Sequence, residues 1–340
     1  MDVDAKTTVV AFAGALLVLA AIVWLVGVED VVAALAMADP LVLLATVGVA
    51  GLWLVAWGLT LYSVLAAVGT PVGVGKAVVL YAAAVFANNV TPFGQAGGEP
   101  VTALLITSAT DGEYETGLAA IASVDTLNFV PSVALSVVGF AWVLASAVEL
   151  TRNLVVAAVG VVVLVLALPV GAYVGWRYRY EVEAVVVRAI TPLIRGVARV
   201  VPRATPPTPA LIERRIEGFF TAIDRVAADR ETLLTALAFS ALGWLGLCTA
   251  LWLSVFALGY VVPFPAVLVV VPLGSIAGMT PLPGGLGGVE VAFASLLYAT
   301  TAVPFAAATA AVLVYRGATY WIPIVAGGGA AALLGASSRR

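Results

Sequence analysis

Two helix-breaking clusters, each with one carboxylate, interrupt long apolar stretches of this chain. Residues 92–99 read PFGQAGGE and residues 283–290 read PGGLGGVE. Both fit P-x-G-x-x-G-x-E without a gap, and each matched position recurs 191 residues later. Backbone that leaves the helix at membrane depth is tolerated only where protein covers it or where it lines a wet cavity. Two such interruptions in corresponding halves of a chain point to the central site of a transporter.

The premise that these stretches lie in a membrane comes from composition. The 340 residues are 63% hydrophobic and 10% charged, outside the range of soluble domains. There is no histidine and one cysteine, Cys248. That excludes disulfide frameworks, zinc sites built on Cys or His, and Ser-His-Asp or Cys-His nucleophiles. Cys248 lies in an apolar span and reads as a packed, inert thiol. No basic patch interleaved with aromatics suggests nucleic acid. Nothing in the pattern calls for a metal or a cofactor.

Apolar runs predict an all-α, polytopic membrane fold in a single membrane domain, residues 1–340. It has about six full transmembrane helices plus two re-entrant helix pairs in an inverted repeat. The full spans are placed at about residues 7–28, 40–69, 116–147, 153–176, 233–260 and 304–334. The first is too long for a signal-peptide h-region and is read as a retained helix. The broken pairs are 76–107 and 264–300, with arms of about 10–14 residues, too short to cross a roughly 30 Å hydrocarbon core. The first repeat covers about 40–147 and the second about 233–334.

Residues 177–230 hold 10 of the 16 Lys and Arg residues, against six Asp and Glu. The positive-inside rule makes this segment cytoplasmic. Counting spans from it places both termini inside as well, in a multi-pass protein of the cell membrane. It also sends the two broken pairs in from opposite faces. Thr208-Pro209 opens an amphipathic helix there, with Ile212, Ile216, Phe219, Phe220, Ile223 and Val226 on one side. That helix is expected on the membrane surface, or else as a cap on another subunit.

Glycines ahead of a half-helix free backbone N–H groups at its N-terminus, which attract an anion such as phosphate. Gly97, Gly98, Gly287 and Gly288 are candidates for that role, with Gly284 and Gly285 in the same cluster. Asn88, Asn89, Thr91 and Gln95 can add hydrogen bonds to sugar or phosphate oxygens. Close helix packing is the structural alternative for the glycines. Glu99 and Glu290 have two readings, a headgroup- or proton-binding carboxylate and a cap on the first helical turn. Arg316, about 12 residues into the last span, needs an interior partner: Glu290, Glu99 or a lipid phosphate. Asp125, with Asn128 one turn later, is a further candidate, expected near the cytoplasmic interface. Tyr315, Tyr320 and Trp321 read as packing or interface anchors.

The runs Asn88–Pro100 and Pro281–Glu290 resemble the two signatures of the flippase-like membrane domain of lysylphosphatidylglycerol synthases. The resemblance covers nearly the whole chain, and stand-alone archaeal members are similar in length. It implies movement of an aminoacyl-phospholipid, or of a polyprenyl-phosphate-linked sugar, between leaflets. The chain departs from that family in two places. Val101 and Thr102 stand where an arginine often follows the first Gly-Gly-Glu, and Ser123 to Thr126 stand where a Glu-Arg pair is often found. The soluble synthase half is outside these 340 residues, so synthesis of the lipid is not expected of them. The rival readings are a membrane glycosyltransferase with a polyprenyl-phosphate donor and a non-transporting subunit of a lipid-modification or glycosylation complex. The partners expected are a membrane lipid and either a lipid-modifying enzyme or further copies of the chain.

Overall fold

The computed structural model describes residues 20–21, 23–91, 94–146, 159, 162–163, 166, 170, 209–280 and 282–337. Among them there is no strand. The helices are α1 (Val28–Ala36), α2 (Pro40–Ala67), α3 (Val74–Val90), α4 (Gln95–Thr110), α5 (Tyr114–Ser146), α6 (Pro209–Ala228) and α7 (Arg230–Ala257). They continue with α8 (Phe264–Ser275), α9 (Gly288–Thr300), α10 (Phe305–Arg316) and α11 (Ile322–Ser337). Two 3-10 turns, Ile276–Met279 and Pro283–Gly285, separate α8 from α9, and a π turn, Gly317–Trp321, joins α10 to α11.

The helices Pro40–Ala67, Tyr114–Ala145 and Arg230–Ala257 are long and apolar enough to cross a membrane. At 1.5 Å per residue, 28 residues reach about 42 Å, beyond the roughly 30 Å hydrocarbon core. Their outward faces carry Leu41, Leu44, Leu52, Leu234 and Leu242, all more than half exposed. Apolar surface on that scale has no solvent but lipid.

Elements recur at a nearly constant offset. Helices α2 and α7 are both 28 residues long and start 190 residues apart, at Pro40 and Arg230. Asp39 and Asp229 cap them alike: Oδ1 of Asp39 accepts from the N–H of Leu41 and Val42, and Oδ1 of Asp229 from Glu231 and Thr232. The Thr232 hydroxyl and these amides hold the exposed Asp229 carboxyl below the usual carboxylate range. Both helices stop at a glycine of positive φ, Gly69 at 88° and Gly259 at 83°. Helices α3 and α8 begin at Val74 and Phe264, again 190 apart, and the run 305–337 matches α5 end to end at 191.

The two long helices run antiparallel. Asp39 N–H donates to Ala257 O at one end, Trp57 Nε1 to Ser240 O midway, and Thr60 Oγ1 meets Ala236 O further on. Trp53, Trp57 and Trp244 meet edge to face here, with centroids 5.5 Å apart in each neighbouring pair. Glycines make room for them, Gly243 under Trp57 and Gly246 against Trp53.

Each broken segment folds back on itself. In the first, Lys76 Nζ donates to Ala109 O at the open end, while Asn88 lies over Gly98 at the tip. In the second, Phe293 of α9 packs on Gly274 of α8. The first hairpin opens where α2 ends: Gly112 approaches Thr70, and α6 reaches the same end through Arg225 Nη1, which donates to Val68 O. The second opens beside the start of α2, since Asp39 bonds Ala257 at the end of α7. The two hairpins therefore open at opposite ends of the bundle. Their tips meet: a Cβ on Gly94 would stand 3.2 Å from Gly278 O.

Several boundaries differ from the sequence reading. The first hairpin's arms have 17 and 16 residues, about 25 Å each, instead of 10–14. The first arm begins at Val74, two residues before Lys76, with Gly73 at the N-cap, and runs to Val90. The second arm starts at Gln95 because the N–H groups of Gly97 and Gly98 already bond Gly94 O. Glu29 and Asp30, which fall between the first two expected spans, are helical. They sit in the first turn of α1, after a break at Gly27 with φ 110°, where acidic side chains complement the helix dipole. Helix α6 does not present its whole apolar side to lipid. Ala222 and Val226 are buried against the bundle, with Phe219 and Ile223 packed on it. The span expected at 153–176 and the segment 177–208 lie outside the described residues, apart from five helical positions of the former.

Cys248 is fully buried. A maleimide is expected to label the folded protein hardly at all and to label it fully after denaturation, which a mass shift of intact protein would read. Rapid labelling of folded protein would contradict this packing of α7.

Candidate functional site

The two motif carboxylates have diverged. Glu290, 2% exposed, is the third residue of α9 and reaches back, its Oε2 accepting from Gly287 N–H at 2.5 Å. This is the reciprocal half of a capping box. Its other oxygen accepts from Arg316 Nε at 2.7 Å. Arg316 Nη2 donates to Gly284 O at 2.9 Å, and the guanidinium lies 4.2 Å from the Tyr320 ring centroid. The capping reading of Glu290 thus holds, and Glu290 is also the interior partner that Arg316 needs. Arg316 is at the last residue of α10, and the π turn that follows brings Tyr320 back under it.

Tyr320 joins the two tips. Its hydroxyl is 3.2 Å from Asn89 O of the first and 3.4 Å from Pro283 O of the second, and can donate to either. It is fully buried, and Gly284 has no Cβ because one would collide with its ring. The sequence reading made Tyr320 an anchor. Its position one turn beyond Arg316, where a ring can face a guanidinium, was the available signal.

At the first tip, Glu99 makes no such cap. Its carboxyl stands within hydrogen-bonding reach of the Asp125 carboxyl on α5. Asp125 faces the interior of the bundle. It is 6% exposed, three turns into a 33-residue helix. Asn88 Oδ1 and Asn89 Nδ2 are buried at this tip without a hydrogen-bond partner. The Thr91 hydroxyl donates to Ala87 O, with Gly94 O also in reach. The side chain of Gln95 lies outside the described residues.

The glycine amides are less available to an anion than the sequence suggested. Gly97 and Gly98 donate to Gly94 O, and Gly287 donates to Glu290. Gly285 has φ 67°, and a Cβ there would lie 2.6 Å from Gly278 Cα, so close packing accounts for it.

A polar seam not foreseen beyond its first two members runs along α5. Asp125, Asn128, Ser132 and Ser136 recur at helical spacing, and all are buried. Asn128 ties the seam to the tryptophans: Ser240 Oγ donates to its Oδ1 at 2.6 Å, and Trp244 Nε1 to its carbonyl at 2.7 Å.

A family model described as the lysylphosphatidylglycerol synthase TM region matches residues 10–327. A UPF0104 membrane protein of Methanothermobacter thermautotrophicus is 26% identical over 317 residues, covering 89% of this chain and 88% of its own. A second from that organism is 24% identical, covering 95% and 92%. One from Pyrococcus horikoshii is 24% identical, covering 72% of each chain.

Proposed function

From the premise that this membrane protein belongs to the lysylphosphatidylglycerol synthase transmembrane family, we propose that it moves a lipid with a polar or anionic headgroup between leaflets. The cargo class is an aminoacyl-phospholipid or a polyprenyl-phosphate-linked sugar. One observation carries this reading: two interrupted hairpins that open at opposite ends of the bundle meet at their tips around Tyr320. On this reading the halves 40–147 and 233–334 form an inverted repeat, and the hairpins are re-entrant. The headgroup passes between the tips while its tails stay in lipid. Rocking of the halves exposes the passage to either side. Asn88, Asn89, Thr91, Gln95, Glu99 and Asp125 line the headgroup path on the first side, and Gly284, Gly285, Gly287, Gly288, Glu290 and Arg316 shape the second.

The test is leaflet exchange in liposomes carrying the purified protein and fluorescent lipids quenched from outside by dithionite. Exchange faster than in protein-free vesicles is expected, and Glu99→Ala is expected to slow it at least tenfold. No acceleration for zwitterionic, anionic or polyprenyl-phosphate lipids would sink the proposal. Covalent transfer of a sugar by the same preparation would favour the glycosyltransferase instead.

A further inference from the structure

Arg316 lies 26 residues after Glu290, and Asp125 lies 26 residues after Glu99. The two positions correspond at the same offset of 191 that relates the motifs. One site of the pair is thus a carboxylate beside a guanidinium, and its counterpart is a carboxyl beside a carboxyl. The Glu290–Arg316 site is neutral as it stands. The Glu99–Asp125 site, if both groups were ionised, would hold two like charges in hydrogen-bond range, with Asp125 buried and Glu99 half-buried, which is strongly unfavourable.

Among the described residues, the surroundings of the Glu99–Asp125 pair offer no cation. Of the described basic side chains, Lys76 bonds Ala109 O at the hairpin's open end, Arg225 reaches Val68 O, Arg316 is held by Glu290, and Arg230 is exposed at the start of α7. The titratable group facing Asp125 from α3 is Tyr81. From α7 come the neutral Ser240 and Trp244, both through Asn128. Several polar atoms here are also unsatisfied. Asp125 Oδ2 has no partner, nor has Thr102 Oγ1, fully buried and one turn beyond Glu99 on the same face of α4. Asn128 Nδ2, one turn beyond Asp125, is likewise unpartnered.

We propose that Glu99 and Asp125 form a proton-binding site, holding one proton between their carboxyl oxygens and exchanging it with water. No bond other than O–H is made or broken: the proton arrives from hydronium and leaves to water. The proton supplies the positive charge that Arg316 supplies to Glu290. Any coupling of that proton to lipid movement rests on the transport reading; the binding itself does not.

Infrared difference spectroscopy of the purified protein in lipid nanodiscs, without any lipid gradient, tests the site. At neutral pH the wild type is expected to show a protonated-carboxyl C=O band that shifts in D2O and disappears at alkaline pH. Its titration should correspond to about one proton per chain, shared by the pair. Asp125→Asn and Glu99→Gln are each expected to abolish that band, and Glu290→Gln to leave it. Asp125→Arg, which recreates the arrangement of the second half, is expected to abolish it too. Folding of each variant is read from protection of Cys248. If Asp125→Asn does not fold, Glu99→Gln and the wild-type titration still decide. A wild type without the band, or a band that survives both substitutions, overturns the proposal. So does a site that responds to sodium at constant pH and not to protons. Because lipid exchange is measured separately, its failure would leave this result intact, and the reverse also holds.

Discussion

Arg316→Ala is expected to lower the unfolding free energy by about 3–5 kcal/mol, because it strands a buried carboxylate. Glu290 would keep a single partner, the Gly287 amide, in an environment where its other oxygen has no donor. Gly284 O would lose its donor in the same step, and Tyr320 the cation over its ring. The loss is read by thermal or detergent unfolding, with exposure of Cys248 as the signal. Removing both charges in Glu290→Leu with Arg316→Ala is expected to recover most of it. The desolvation cost of the pair then disappears along with its attraction. A double variant as unstable as Arg316→Ala would mean that lost packing, not an unpaired charge, carries the effect.

That ion pair was within reach of the sequence, and its counterpart was not. An arginine in mid-span demands an acidic partner, and Glu290 was among the few available. The equivalence of Asp125 with Arg316 was hidden by reversal of charge, since a search for repeated motifs looks for identical residues. The hairpins were legible because Gly and Pro cannot continue a helix, whatever surrounds them. Their true length was not, because the Gly97 and Gly98 amides bond Gly94 O and so begin the second arm early. The spacing of Tyr320 from Arg316 hinted at their contact, but its reach to both tips follows a π turn, and a change in helical register leaves no mark in composition or periodicity. The availability of glycine amides to an anion likewise depends on intramolecular partners that only coordinates reveal.

The glycines of the first tip can be separated by what a methyl group would meet. At Gly98 a Cβ would stand 2.6 Å from Asn88 N and 2.7 Å from Asn88 Cα. Rotation of the Asn88 side chain cannot relieve a collision with backbone, so α3 and α4 would have to move apart. Gly98→Ala is therefore expected to cost about 1–3 kcal/mol, as overpacking does. The same separation would draw Asn89 O away from Tyr320, the contact that joins the tips. Transport should then fall by more than the fraction of protein unfolded. Gly73, which caps α3 with φ −69°, has open space where a Cβ would stand. Gly73→Ala is expected to change stability by no more than about 0.5 kcal/mol. The comparison uses one unfolding assay for both proteins. Equal stability of Gly98→Ala and Gly73→Ala would show that the hairpin is not closed at its tip, and the meeting of the two broken segments would fail with it.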